Sequence, residues 1–130
     1  MKVLFLCNHN SGRSQMAEAF ANQIGNKSLQ AISAGTNPSE ILNEIVVEAM
    51  LELDIDISEQ RPKMVTQKMV SHSDMLISMG CSPDQDCNVL FTPDEDWSLD
   101  DPHDQPLDVV RGIRDNIQIK VQNLLQKLNS

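Results

Sequence analysis

The sequence predicts an α/β fold, in which helices cover both faces of a parallel β-sheet. Short apolar segments alternate along the chain with longer segments whose apolar residues repeat at helical spacing. Strands that alternate with helices are typical of a parallel sheet wrapped on both faces. The chain of 130 residues suffices for one hydrophobic core, so we expect a single domain spanning residues 1–130.

The first half of this pattern begins with a strand, a loop and a helix. Residues 3–6 form a continuous apolar run, which is typical of a strand buried on both faces. Residues 14–24 then carry apolar side chains at helical spacing, and Gly25 is suited to end that helix. A second strand is predicted at residues 29–34, closed by Gly35.

Three more helices are predicted from apolar periodicity. Pro38 is expected to open a long helix, and residues 64–70 a short one. The apolar stripe of the long helix consists of Ile41, Leu42, Ile45, Val46, Ala49, Met50 and Leu53. The last helix has the clearest pattern, formed by Val109, Val110, Ile113, Ile117, Val121, Leu124, Leu125 and Leu128.

The remaining strands lie in the second half of the chain. Residues 75–79 predict a third strand, with Gly80 after it, and residues 88–91 predict a weaker fourth. Residues 92–106 are polar and interrupted by prolines, so we expect a long surface loop there.

Composition excludes several classes of function. The net charge of −9 argues against nucleic acid or an anionic membrane as partner, since both attract clustered Lys and Arg. The apolar segment at the N-terminus is too short for a signal peptide, and no later run approaches membrane-spanning length. We therefore expect a cytoplasmic protein. Three cysteines, an odd number, favour thiol chemistry over a structural disulfide in that compartment.

The loop after the first strand has the pattern of an oxyanion site. Cys7 ends the strand at the edge where parallel α/β sheets bind ligands. The five following residues are Asn8, His9, Asn10, Ser11 and Gly12. Such a loop curls its backbone N–H groups inward around an anion, and Arg13 adds a bidentate fork. The same surroundings favour a nucleophilic thiolate, to which Ser14 would donate a hydrogen bond. The alternative is that Cys7 is a small buried residue.

Several motifs resemble one known superfamily in their order along the chain. The segment CNHNSGRSQMAEAF, residues 7–20, is similar to the phosphate-binding loop of the low-molecular-weight protein tyrosine phosphatase superfamily. Its second half, RSQMAEAF, resembles the arsenate reductase branch. Further matches are ISAG at 32–35, LDIDIS at 53–58, DMLISMGC at 74–81 and WSLDDP at 97–102. The resemblance implies a flavodoxin-like three-layer sandwich with a four-stranded parallel sheet.

The resemblance also implies an activity, reduction of arsenate to arsenite by a relay of three cysteines. Cys7 would attack arsenate, and Asp101 would assist the loss of hydroxide. Cys81 would then attack the Cys7 sulfur and release arsenite, and Cys87 would resolve the resulting disulfide. The preference for Asp101 over Asp100 rests on the Asp-Pro pattern of the family. The final Cys81–Cys87 disulfide would be passed to thioredoxin.

Other interpretations remain open at this point. Five residues separate Cys81 from Cys87, one fewer than in the best-known thioredoxin-coupled members, and Asn88 replaces a frequent proline. A glutathione and glutaredoxin route would leave Cys87 without a role. A phosphomonoester phosphatase would use Cys7, Arg13 and Asp101 alone, and an oxyanion-binding module would use none of them for catalysis.

The same branch points to the remaining expectations about ligands. His103 follows the Asp-Pro pair where phosphatases commonly have Tyr, and the chain contains no Tyr, which favours a small inorganic oxyanion. Three residues match a potassium site of the family: Asn10, Glu18 and Ser33. Arg61 and Lys63 stand at its other positions, so we expect the Lys63 ammonium to replace the ion. A zinc site at Cys81, Cys87 and His103 is a minor alternative. No tightly bound cofactor or metal is expected, and the protein should be a monomer.

Overall fold

A four-stranded parallel sheet forms the centre of the structure, a computed structural model that describes residues 1–25, 29–79 and 94–128. The elements follow one another as β1 (Lys2–Cys7), α1 (Arg13–Ile24), β2 (Gln30–Gly35), α2 (Glu44–Leu51), α3 (Gln67–Ser71), β3 (Met75–Ser78), β4 (Glu95–Asp96) and α4 (Leu107–Leu128). Among the described residues no helix is both long and apolar enough to cross a bilayer.

The order of the strands places β1 in the interior of the sheet. The order is β2-β1-β3-β4, and all three pairings are parallel. Leu4 of β1 lies opposite Ile32 of β2 on one side and Leu76 of β3 on the other. The carboxyl ends of β1 and β3 therefore meet at one edge, where Leu6 lies opposite Ser78. This arrangement confirms the predicted parallel α/β sheet.

Side chains of β1 alternate between two apolar layers. Val3, Phe5 and Cys7 belong to the larger core, which includes buried residues of α1, α2 and α4. Leu4 and Leu6 belong to a smaller cluster on the opposite face, against which Val65, Met69 and Val70 pack. Because both faces of the sheet are covered, the continuous apolar run of β1 is the pattern expected for a buried strand.

The predicted start of the second helix at Pro38 is wrong, because α2 begins at Glu44. The Asn43 side chain caps this helix by accepting hydrogen bonds from the N–H groups of Ile45 and Val46. Before it, three backbone N–H groups bond to carbonyls of the loop after β1: Asn37 to Asn8, Ser39 to His9 and Asn43 to Ser11. These bonds replace helical bonds, so Ile41 of the predicted stripe is 67% exposed.

The predicted surface loop at residues 92–106 is also wrong in part. Its residues Glu95–Asp96 form β4, which pairs with Ile77 and Ser78 of β3. Trp97 and Leu99 are buried, and the ring of Trp97 packs 5.5 Å from that of Phe5. Two apolar side chains in a polar stretch are a weak local signal, and pairing with β3 decides the structure. The strand predicted at residues 88–91 lies outside the described residues.

The other predicted helices are confirmed with shifted ends. α1 and α4 each begin before the predicted first apolar residue, at Arg13 and Leu107. Most of the α4 stripe is buried, although Val109 near its start is exposed. α3 begins only at Gln67, since the backbone at Met64 forms an isolated parallel bridge with Gly35 instead.

Candidate active site

The candidate site lies at the carboxyl edge of β1, where a loop leads into α1. Cys7 is the last residue of β1, and α1 begins at Arg13. A small cavity at this edge is lined by Cys7, Arg13 and loop residues, together with Asp101 from the segment after β4. The structure therefore brings together the predicted nucleophile, anion-binding arginine and acid, as expected for the carboxyl edge of a parallel sheet.

Two hydrogen bonds converge on the buried sulfur of Cys7. The backbone N–H of Asn10 donates to Sγ at 3.2 Å, and the Ser14 hydroxyl lies 2.8 Å from Sγ. Asn10 Nδ2 donates to Ser14 Oγ at 2.7 Å, so the Ser14 oxygen already accepts a hydrogen bond. A thiolate has no proton to give, so in the thiolate form of Cys7 the Ser14 O–H is the donor to Sγ. Both donors stabilise negative charge on the sulfur.

The N-terminus of α1 is suited to an anion. Gly12 precedes the helix without a side-chain cap, and the first turn contains no acidic residue. The first N–H groups of a helix have no acceptor within it, and the helix dipole favours negative charge there. Gly12 also permits a close contact, because a Cβ at this position would lie 2.8 Å from Cγ of Pro102. The absence of a side chain at Gly12 therefore allows the Asp101–Pro102 segment to pack close to the loop.

The Arg13 guanidinium is held in a fixed orientation. Its Nη1 donates to the carbonyl of Met79 at 2.6 Å and to the carbonyl of Leu99 at 3.0 Å. Its Nη2 lies 3.9 Å from Oδ2 of Asp101. Because two carbonyls occupy one terminal nitrogen, Nε and Nη2 are left to form the two-pronged contact with an oxyanion.

Asp101 is the aspartate that faces the cavity. It lines the cavity together with Cys7, whereas Asp100 does not belong to that lining. Its Oδ1 accepts the backbone N–H of His103 at 3.0 Å, so the carboxylate is oriented by its own loop. The Asp101 side chain is 51% exposed, which leaves it accessible to a bound anion and to water. The geometry thus separates two neighbours that sequence alone left equivalent.

Two histidines flank the same cavity. His9 comes from the loop after β1 and His103 from the segment after Asp101, and their ring centroids are 6.2 Å apart. His9 Nδ1 lies 3.2 Å from the carbonyl of Asn37, and His103 Nε2 lies 3.2 Å from Asp104. Both imidazoles therefore lie beside the predicted anion site.

The predicted potassium ligands are joined to one another through hydrogen bonds. Asn10 Nδ2 donates to Ser33 Oγ at 3.0 Å, and Ser33 Oγ donates to Glu18 at 3.0 Å. Lys63 Nζ lies 3.7 Å from the same Glu18 oxygen. A cation bound to Glu18 would meet this ammonium, so the residues do not fit a potassium ion. Arg61 points elsewhere, since its guanidinium donates to the carbonyls of Ser58 and Gln60.

Sequence reasoning missed a pair of glutamines beneath the loop. Gln15, on α1, is fully buried, and its Nε2 donates to the backbone carbonyl and the side-chain oxygen of Asn10. Gln60 donates to Oε1 of Gln15 at 2.5 Å. The only local signal is a polar residue beside the apolar stripe of α1. That signal does not distinguish a buried amide from a solvated one.

Cys81 and Cys87, the other two predicted thiols, lie outside the described residues. Met79, two residues before Cys81, contributes the carbonyl that holds Arg13. Within residues 1–25, 29–79 and 94–128 there is no group of three or more His, Cys, Asp or Glu side chains arranged to hold a metal ion.

The sequence is similar to known proteins over nearly its whole length. The family model for the low molecular weight phosphotyrosine protein phosphatase matches residues 2–130. A putative arsenate reductase of Halobacterium salinarum is 37% identical over 134 residues, which cover 98% of this chain and 93% of the relative. The glutaredoxin arsenate reductase of Synechocystis is 35% identical over 133 residues, with 98% of each chain covered.

The fold is also similar to solved structures of arsenate reductases. An arsenate reductase in a phosphate-binding state has a TM-score of 0.83 at 36% identity, with 98% of each chain covered. A thioredoxin-dependent arsenate reductase of Corynebacterium glutamicum has a TM-score of 0.78 at 32% identity, and covers 98% of this chain and 61% of its own. The expected three-layer α/β fold is therefore confirmed.

Proposed function

Since the chain belongs to the low molecular weight phosphotyrosine protein phosphatase family, we propose that it is an arsenate reductase, an enzyme that converts arsenate to arsenite. The observation that carries the proposal is the sulfur of Cys7, which receives two hydrogen bonds at the mouth of a loop suited to an oxyanion. Similarity to arsenate reductases over nearly the whole chain selects this reaction from those that such a loop performs.

The loop binds arsenate, or phosphate as its analogue, through backbone N–H groups and the Arg13 guanidinium. The thiolate of Cys7 attacks arsenic and forms a sulfur–arsenic bond. Asp101 donates a proton to the departing oxygen, which leaves as water. The placement of Asp101 on the cavity supports this role, because the acid must reach the oxygen opposite the nucleophile.

The electrons for reduction come from two thiols. The thiolate of Cys81 attacks the Cys7 sulfur, which breaks the sulfur–arsenic bond and leaves its electron pair on arsenic as arsenite departs. The Cys7–Cys81 disulfide then opens when the thiolate of Cys87 attacks the sulfur of Cys81. Cys7 returns to its thiol form, and the Cys81–Cys87 disulfide is reduced by an external protein dithiol.

Thioredoxin is the reductant that a three-thiol relay favours. The final disulfide lies between two cysteines of the chain itself, which is the form of substrate that a protein dithiol reduces. The relatives include one named for glutaredoxin and one named as thioredoxin-dependent, so an external reductant is common to both. No tightly bound cofactor takes part in this scheme, and the reaction fits a monomer in the cytoplasm.

The test is arsenate-dependent oxidation of NADPH in the presence of thioredoxin and its reductase. Wild type should turn over, whereas Cys7→Ser and Cys81→Ser should reduce activity to background because each removes a thiol that forms a bond in the reaction. Cys87→Ser should release arsenite once and then stop. If Cys87→Ser turns over with glutathione and glutaredoxin but not with thioredoxin, the reductant in the proposal would be glutaredoxin instead of thioredoxin.

Hydrolysis of an aryl phosphate by the same samples distinguishes the alternative enzyme. Brisk hydrolysis without arsenate reduction would show a phosphatase that uses Cys7, Arg13 and Asp101. Absence of both reactions, with phosphate binding retained, would show an oxyanion-binding module.

The Lys63 ammonium takes the place of a potassium ion in this proposal. Its contact with Glu18, which bonds through Ser33 to Asn10, supports the substitution. Activity should not rise when potassium replaces sodium at constant ionic strength. Lys63→Met should weaken the enzyme, and potassium should restore part of the loss. A clear rise of wild-type activity with potassium would contradict this role of Lys63.

A further inference from the structure

Asn10 is the residue through which the loop reaches the Cys7 sulfur. Its backbone has a φ of 50°, a left-handed conformation that only Gly, Asn and Asp adopt readily. This conformation directs its N–H to Sγ of Cys7 at 3.2 Å, while its side-chain amide bonds Ser14, the second donor to that sulfur. Whatever holds Asn10 therefore sets both hydrogen bonds to the thiol.

Every polar group of Asn10 has a partner. The N–H donates to Cys7, and the side-chain nitrogen donates to Ser14 and Ser33. The side-chain oxygen accepts the backbone N–H of Lys63 at 2.9 Å. A backbone N–H is only a donor, so this bond fixes which end of the amide is oxygen. The backbone carbonyl and the side-chain oxygen of Asn10 both accept from one further group, the amide of Gln15.

Gln15 is placed to hold Asn10 from below. Its Nε2 donates to both oxygens of Asn10 and to the carbonyl of Arg61, each at 3.0 Å. All three acceptors are oxygens, so the nitrogen end of the amide faces them. The oxygen end accepts from Gln60 Nε2. Gln15 is fully buried, and a buried amide without these partners would cost free energy, which favours this single arrangement.

We propose that Gln15 is a positioning residue, which locks the left-handed conformation of Asn10 and thereby maintains the hydrogen bonds that activate the Cys7 thiol. Gln60 fixes the orientation of the Gln15 amide. Both residues act through Asn10 and neither lines the cavity. The inference rests on Cys7 as the nucleophile of the proposed function, and it adds a residue that controls how reactive that nucleophile is.

The test measures the pH profile of Cys7 alkylation by iodoacetamide in the full chain. Trypsin cleaves after Lys2 and Arg13, so the peptide of residues 3–13 contains Cys7 alone and reports it separately from Cys81 and Cys87. Gln15→Met keeps a similar side-chain volume but removes every hydrogen bond of the side-chain amide. With the donors to the sulfur loosened, its profile should move to higher pH by about one unit, and the rate at neutral pH should fall about tenfold.

Two further variants keep the test decisive. Gln60→Met should shift the profile in the same direction by a smaller amount, and it replaces Gln15→Met if that variant fails to fold. Gln23→Met is the matched control, because Gln23 is an exposed glutamine on the same helix, and its profile should coincide with that of wild type. Folded Gln15→Met and Gln60→Met proteins with wild-type profiles would overturn the proposal.

Alkylation requires neither arsenate nor a reductant, so the outcome is independent of the reductase assay. A shifted profile in a chain that fails to reduce arsenate would reject the proposed function and keep the role of Gln15. Thermal unfolding distinguishes the proposed positioning role of Gln15 from a purely structural one. Such a role would lower the melting temperature of Gln15→Met while leaving the alkylation profile of the folded protein unchanged.

Discussion

The site loop and the junction of α2 with α4 stabilise their polar groups in opposite ways. Beneath Cys7 the buried groups are neutral amides and hydroxyls: Asn10, Ser14, Gln15 and Ser33. At the helix junction they are charged: Glu52 and Arg111 reach the surface, and the Arg114 side chain is buried beside them. Glu52, just after α2, accepts a two-pronged contact from Arg111 and a further bond at 2.8 Å from Arg114.

The pKa of Glu52 reflects its surroundings. The hydrogen bond from Arg111 lowers it from 4.5 to about 2, against an opposing effect of desolvation, and the bond from Arg114 adds to the lowering. A charge is costly to bury, whereas an amide with all its partners is not. Apart from Arg13, the fully buried groups of the site are therefore neutral, and its other charges, Asp101 and the Glu18–Lys63 pair, keep some exposure to solvent. We expect changes at the site to affect activity, and changes at the helix junction to affect stability alone.

Asp101→Asn should produce the largest effect. Asparagine keeps the size of the side chain but cannot donate a proton to the departing oxygen, so turnover should fall by about 10²- to 10⁴-fold. Steady-state arsenate reduction measures this fall, and phosphate affinity should change little.

Asp100→Asn is the matched control for that variant. Asp100 is exposed and does not line the cavity, so its loss should leave turnover near wild type. If Asp100→Asn were the more damaging of the two, the assignment of the acid would be wrong.

Gly12→Ala should produce an intermediate effect. The new Cβ would lie 2.8 Å from Pro102, so the Asp101–Pro102 segment must move away from the loop. A displacement of about 1 Å in a catalytic group lowers turnover by up to about 100-fold. Turnover and melting temperature measured on the same sample separate loss of activity from loss of fold.

Gly112→Ala provides the contrasting glycine. Gly112 lies on α4, and a Cβ there meets nothing within 4 Å. Alanine favours a helix interior over glycine by up to about 1 kcal/mol, so this variant should be slightly more stable and fully active. Equal activity of the two alanine variants would show that the contact with Pro102 does not position Asp101.

Glu52→Gln should produce the smallest effect, on stability alone. A pKa lowered in the folded state stabilises the fold at pH values above 4.5, and that contribution is lost as the pH falls from 4.5 toward about 2. Urea unfolding should therefore show wild type more stable than Glu52→Gln at neutral pH, with the difference vanishing in acid. A difference that persists at pH 2, or a loss of turnover at neutral pH, would break the contrast between the two regions.

Local periodicity was enough for the elements that form the centre of the fold. β1, β2, α1 and α4 were all predicted close to their observed bounds, because each buries a regular apolar pattern against the same core. The start of α2 and the position of β4 were not predicted correctly. The backbone before α2 bonds to the loop after β1, and β4 exists because Glu95 and Asp96 pair with β3. Neither partner is close in sequence.

The sequence by itself determined where the proposed nucleophile and its anion site lie. Cys7, the small residues after it and Arg13 are neighbours in the chain, so a strand before them and a helix after them suffice to form the loop. Tertiary structure alone decided which aspartate approaches, that Lys63 meets Glu18, and that Gln15 and Gln60 hold Asn10. These contacts join residues separated by 45 or more positions or lie within the core, where packing rather than local preference selects the partner.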